Sequence, residues 1–139
     1  MKAYLLGGLI AGVLLLTGGK AMAHHSFAAE FDATKRVTLT GVVTKVEWTN
    51  PHVWIYFNVK DPKNGQMTKW GFEMGPPHLL QGSGWTNKSL KVGDEIEVGG
   101  FLAKNGSNRM SVNNQVGVKF AATGQPVGRG GAALNNATQ

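Results

Sequence analysis

The chain has 139 residues, a formal net charge of +6 and no cysteine. That length favours one domain with one modest core, and the missing cysteines exclude a disulfide framework, a thiolate metal site and a cysteine nucleophile. Lys2 and Lys20 precede the expected cleavage point, so +6 falls to +4 on processing, scattered without a Lys/Arg cluster, and nucleic acid is not an expected partner.

Residues 1–23 read as a secretory signal peptide. Lys2 supplies a short positive start, Ala3 to Leu16 is an apolar and glycine run, and Ala21-Met22-Ala23 is a small-x-small cleavage pattern. The run is short beside the roughly 20 residues of a spanning helix, and no stop-transfer charge cluster follows. The processed protein is expected in the periplasm, without stable membrane insertion. Cutting after Ala23 makes His24 the first residue, with a free α-amine beside its imidazole. These groups titrate near ~8 and ~6.5, so a metal displaces their protons readily at neutral pH. Nitrogen ligands suit copper first, with zinc or nickel behind. A further imidazole opposite this chelate would complete a histidine-brace-like site. His25, His52 and His78 are the other histidines.

Ser26 to Asp32 reads as an arm or short turn that Phe27 and Phe31 tether to the core; Glu30 and Asp32 read as solvated carboxylates. Asp32 to Lys35 reads as a turn. Arg36 to Trp48 is the first strand. Val37 and Leu39 share one parity, Val42, Val46 and Trp48 the other, and a bulge near Gly41 reconciles them. After the Thr49-Asn50-Pro51 turn, Val53, Ile55, Phe57 and Val59 alternate as the buried face of a second strand. His52, Trp54, Tyr56 and Asn58 then face the other way, where Thr, Lys and Glu would be ordinary. Either a second layer covers that face or it binds something.

Asp61 to Gly65 carries the Asn-Gly hairpin signal. The third strand runs from about Gln66 to Met74, with Trp70, Phe72 and Met74 on one face and Lys69, Gly71 and Glu73 on the other. Glu73 is the best-placed carboxylate for catalysis or ligation, although an outward strand residue is the commoner reading. Pro76 and Pro77 suit a helix's first turn, so a short helix is expected up to Gly82, with His78 kept neutral near its positive end. Leu90 and Val92 are expected to seal the barrel bottom before a Gly93-Asp94 turn. Glu95 to Leu102 is the fourth strand. Met110, Val112, Val116, Val118 and Phe120 give a last strand or strand pair. The Gly/Ala/Asn-rich residues from 121 to 139 read as a disordered tail.

Three strands, a short helical connector and two strands describe an all-β protein. The expected form is a small five-stranded OB-like barrel with a short helical connector between strands 3 and 4, spanning residues 24–120 together with its N-terminal arm. A small open sandwich is the alternative. The segments His24 to Asp32, Gly41 to Trp54 and Gly93-Asp94 resemble the DUF6152-type family of small exported bacterial proteins of unknown function. The resemblance implies a secreted single-domain β protein and carries no activity or site assignment.

The leading functional expectation is an exported metal-binding protein, copper favoured, with His24, His25, His52 and His78 as the metal ligands. Trp48, Trp54 and Trp85 would wall such a site, Glu47, Asn50 and Glu73 would support it, and Met74 would suit reduced copper. The alternative is a non-metal periplasmic binding or accessory domain whose Trp54/Tyr56 face takes a small molecule or a protein partner. A third reading is a copper-dependent oxidative enzyme. No Ser-His-Asp spacing, phosphate loop, dinucleotide fingerprint or zinc-protease helix is present, so a binding protein is favoured over an enzyme.

Overall fold

In a computed structural model, residues 26–112 and 117–128 are described. The expected leader, His24, His25 and Val116 lie outside them. The elements run in the order α1 (Phe27–Glu30), β1 (Phe31–Glu47), β2 (Trp54–Lys60), β3 (Met67–Glu73), α2 (Pro77–Gly82), β4 (Glu95–Ala103), β5 (Arg109–Ser111) and β6 (Val118–Phe120). The strands pair in the order β1-β2-β3-β5-β4-β6, and β1 also pairs with β4. That last pairing closes a five-stranded mixed barrel, antiparallel except where β3 meets β5. The short helical connector α2 lies between β3 and β4, as expected. β6 continues the pairing along β4, so the expected last strand is indeed a pair. No helix among the described residues is long and apolar enough to cross a membrane.

Period-two alternation builds the barrel interior. Val43, Val53, Ile55, Phe57, Phe72, Ile96, Val98 and Met110 are buried there. Leu80 from α2, with Leu90, Trp85 and Met74, extends the same cluster. Each such side chain contributes roughly 1.5–3 kcal/mol by leaving water. Val92 does not join Leu90; it is 70% exposed, because the tight turn at Gly93 leaves it outside.

β1 does most of the closing, since it pairs with β2 through Gly41–Glu47 and with β4 through Arg36–Val42. Its phase change falls between Val43 and Lys45, not at Gly41. Gly41 keeps the inward parity of Val37, Leu39 and Val43 because it needs no room: a Cβ there would stand 2.9 Å from both the Asn58 carbonyl carbon and Phe57 Cδ2. At the bulge, the Gly93-Asp94 turn locks the strand. Val43 N donates to Asp94 O at 2.9 Å and Val43 O accepts from Gly93 N at 2.9 Å. Gly93 has φ +96, a backbone state that glycine adopts without strain. Two segments that carry the family resemblance therefore meet here.

The expected turn at Asp32–Lys35 exists as an excursion within β1, between the Phe31–Ala103 and Arg36–Phe101 pairs. The Asp32 carboxylate closes it by accepting from Thr34 N at 3.0 Å and Thr34 Oγ1 at 2.6 Å. The arm before it forms α1. Phe27 stacks on Phe31 at 5.8 Å and meets Phe101 edge-on at 5.6 Å, so both expected tethers hold. At the other end of the chain, composition predicts no fixed structure from residue 121, yet residues 121–128 fold back on the barrel. Val127 N donates to Val118 O at 2.8 Å, and Val127 is 4% exposed. The buried Val127 side chain and backbone hydrogen bonds, Gly124 N to Phe120 O at 2.8 Å and Phe120 N to Gln125 O at 2.9 Å, together hold the turn.

Candidate functional site

The bulge decides which β1 side chains reach the outer surface. Beyond it Val46 pairs with Ile55 inside the barrel, while Lys45 pairs with Tyr56 and Glu47 with Trp54 on the outside. On the other flank of β2, Glu73 lies opposite Trp54 and Gly71 opposite Tyr56. β5 then brings Arg109 beside Gly71 and Ser111 beside Glu73. Cross-strand neighbours share a face. The outer face therefore carries two rows, Glu47–Trp54–Glu73–Ser111 and Lys45–Tyr56–Gly71–Arg109.

The rings of Trp54 and Tyr56 are near parallel, 22° apart with centroids 6.3 Å apart. They lean over Gly71, where a Cβ would come within 3.2 Å of Tyr56 Cδ1 and 3.8 Å of Trp54 Cε3. The Arg109 guanidinium lies 4.4 Å from the Trp54 ring centre and Lys45 Nζ lies 5.6 Å from that of Tyr56. Each such cation on a partly exposed ring contributes roughly 0.5–1 kcal/mol. Lysine and arginine look scattered along the sequence, yet the fold brings two of these cations onto the aromatic pair. Lys45 sits two residues beyond the phase change, and Arg109 arrives through a parallel pairing that only the barrel topology sets. Lys45 also pairs with Glu47, which accepts a hydrogen bond from the Tyr56 hydroxyl at 3.1 Å.

Burial first, and then the hydrogen bond to Glu47, holds the Tyr56 phenol above its ordinary pKa. A raised pKa favours the protonated form in the folded state. This part of the stability is complete below the ordinary tyrosine range and is lost as pH rises through the folded-state value. An alkaline absorbance titration is expected to show one late tyrosinate step that disappears in Tyr56→Phe. In the chain that begins at His24, whose one tyrosine is Tyr56, a step at the ordinary tyrosine position would overturn this expectation.

A groove of about 480 Å³ runs beside this row, lined by Thr44, Lys45, Tyr56, Asn58, Lys69 and Trp70. Two ammonium groups, an amide and a phenol border it. The carboxylates Glu47 and Glu73 lie in the other row, so one end of the face is basic and the other acidic.

At the acidic end His52 Nδ1 contacts Glu73 Oε1. The side chains are 31% and 15% exposed. Glu73 is thus no solvated strand residue but the partner of an imidazole, and His52 presents Nε2 as its other ring nitrogen. His78 is exposed on α2, and no three His, Cys, Asp or Glu side chains gather as a metal would need among the described residues. Met74 and Trp85 belong to the core, since their strand parity and the packing of the α2–β4 connector carry them inward. Trp48 is half-buried against the same core, and Asn50 is exposed in the turn before β2. Sequence reasoning finds His52, Trp54, Tyr56, Glu47 and Glu73 but misses Lys45, Lys69, Gly71 and Arg109.

A family model described as a family of unknown function (DUF6152) matches residues 12–113. No curated protein and no solved structure matches the chain.

Proposed function

Because the chain belongs to the DUF6152 family of unknown function, its function has to be read from its own outer face, and we propose that it is an exported, periplasmic binding module for a ring carrying an anionic substituent. The observation that carries this reading is the Arg109–Trp54–Tyr56–Lys45 series alongside a groove edged by Lys69 and Asn58. Aromatic side chains pack well against sugar and aromatic rings while their polar tips stay wet. Lys45 and Lys69 favour an anionic group, and Asn58 and Thr44 supply hydrogen bonds. The position suits a ligand by likeness to the five-stranded OB barrels, which use their strand 2–3 face for binding. That support is an analogy of fold.

The ring need not stack on Trp54, one face of which is covered by Arg109; Tyr56 borders the groove directly. Acidic and neutral forms of one oligosaccharide, a benzoate-type acid and a single-stranded oligonucleotide serve as probes by calorimetry. The acidic saccharide or the aromatic acid is expected to bind better than the neutral sugar. Tyr56→Ala should weaken that binding roughly tenfold, within the 1–3 kcal/mol typical of ring stacking. Lys69→Gln should narrow the preference for the acidic form. Binding only the oligonucleotide, or equal binding by the parent and Tyr56→Ala, would overturn the reading.

A further inference from the structure

The Lys45–Tyr56–Gly71–Arg109 row ends at Arg109, and a second hollow begins there. It holds about 300 Å³ between α1 and the turn that joins β4 to β5, and is lined by Glu30, Phe31, Ala103, Lys104, Asn105 and Arg109. We propose that this hollow and the Tyr56 groove are the two ends of one site, and that its ligand is a linear oligosaccharide with acid groups on two separated rings. This takes the ring-binding reading as its premise and extends it from one ring to a chain.

Register puts both ends on one face. Lys45, Tyr56, Gly71 and Arg109 are successive cross-strand neighbours on β1, β2, β3 and β5. Ser111 stands two residues from Arg109 and pairs with Phe101, and Ala103 stands two residues from Phe101. Residues two apart in a strand share a face, so Ala103 in the second hollow lies on the same outer face as Tyr56. Three strand spacings separate Lys45 from Arg109, roughly 14 Å of backbone. The Trp54 and Tyr56 ring centres are only 6.3 Å apart. A single ring seated at Tyr56 therefore does not reach the second hollow, whereas a chain of rings does.

Both ends carry donors for an anion. Lys45 and Lys69 border the first groove. In the second hollow Lys104 Nζ donates to Ala28 O at 2.5 Å, which uses one of its three N–H groups. Asn105 Oδ1 accepts from Ser107 N at 3.0 Å, so the part of its amide left for a ligand is the NH2 donor. The planar fork of Arg109 matches a carboxylate. Glu30 is the one carboxylate among the described lining residues, set against two cations.

The charge between the ends selects the polymer. The neighbouring row holds the carboxylates of Glu47 and Glu73 on either side of Trp54. A nucleic-acid strand has a phosphate at every residue, so its middle phosphates would pass beside these carboxylates. A saccharide with a neutral ring between its acid groups avoids that repulsion, and its hydroxyls suit the Asn58 and Asn105 amides.

The test is calorimetry on the full chain with a di-, tetra- and hexasaccharide of alternating acidic and neutral sugars, a benzoate-type acid and a single-stranded oligonucleotide. Affinity is expected to rise at least tenfold from disaccharide to tetrasaccharide, through the second anchored end, and to level off at the hexasaccharide. Lys104→Gln and Asn105→Ala should each remove most of that gain and change disaccharide affinity less than twofold. Two variants are used because Lys104 also holds α1, and thermal melts check that both are folded. Disaccharide binding that does not improve with length, or a gain untouched in both variants, overturns the two-ended site and leaves the ring-binding reading standing. Binding of the benzoate-type acid without any saccharide does the same. No binding by any saccharide or by that acid overturns both. Tighter binding of the oligonucleotide than of the tetrasaccharide overturns the choice of polymer.

Discussion

Gly41→Ala is expected to lower the unfolding free energy by about 3 kcal/mol, at the upper end of what overpacking usually costs. The added methyl would meet the Asn58 backbone, not the tip of a flexible side chain. Gly41 also sits where β1 is paired on both sides, with Val59 and with Ile96, so neither neighbour can retreat without opening the barrel. For a domain of this size the melting temperature should fall by roughly 10–20 °C, and the urea midpoint should drop at an unchanged slope. Gly82→Ala is the control. A Cβ at Gly82 meets nothing within 4 Å, and alanine suits the helix better by roughly 0.5–1 kcal/mol. Equal stability of Gly41→Ala and the parent would mean that β1 and β2 do not approach this closely.

Phe72→Ala is expected to cost about 3–5 kcal/mol, the usual loss for a buried phenylalanine. Phe72 is fully buried and meets Phe57 edge-on at 5.7 Å. Its neighbours in β3, Gly71 and Glu73, serve the outer face, so the cavity lies directly beneath the residues that seat Tyr56 and orient His52. Phe72→Ala should therefore weaken ring binding as well, because a loosened β3 no longer holds the two rows abreast. Phe72→Leu should cost only about 1 kcal/mol and keep the face. A variant lacking the ring yet melting like the parent would remove Phe72 from the core.

What the sequence reveals depends on how local each signal is. Alternation in Val53–Val59 and Trp70–Met74 is a local pattern, so both inward faces and the opposite Trp54/Tyr56 face are legible from it. The helix at Pro77–Gly82 and the Asn64-Gly65 hairpin are likewise set by neighbouring residues. The bulge is harder, because Gly41 marks the close approach to Asn58 and the phase shift comes three residues later, where Asp94 and Gly93 bond to Val43. That partner is remote in sequence. Arg109 is harder still: its place beside Gly71 depends on a parallel pairing between β3 and β5. The His52–Glu73 contact follows from hairpin register, which alternation alone does not supply. Composition also underrates the segment after Phe120, which backbone hydrogen bonds to Glu95, Phe120 and Val118 and the buried Val127 side chain hold in place.

The closing pairing has a kinetic consequence. Phe31 meets Ala103 and Val42 meets Glu95, so the chain must lose the entropy of a very long loop before this ladder returns any energy. The β2–β3 hairpin forms from near neighbours and can be made early. Folding to the closed barrel is therefore expected on the millisecond-to-second scale of proteins dominated by non-local strand pairing. Until the closing ladder forms, the β4-facing edge of β1 lacks its partner strand, and the half-made sheet is the species most exposed to association with other chains.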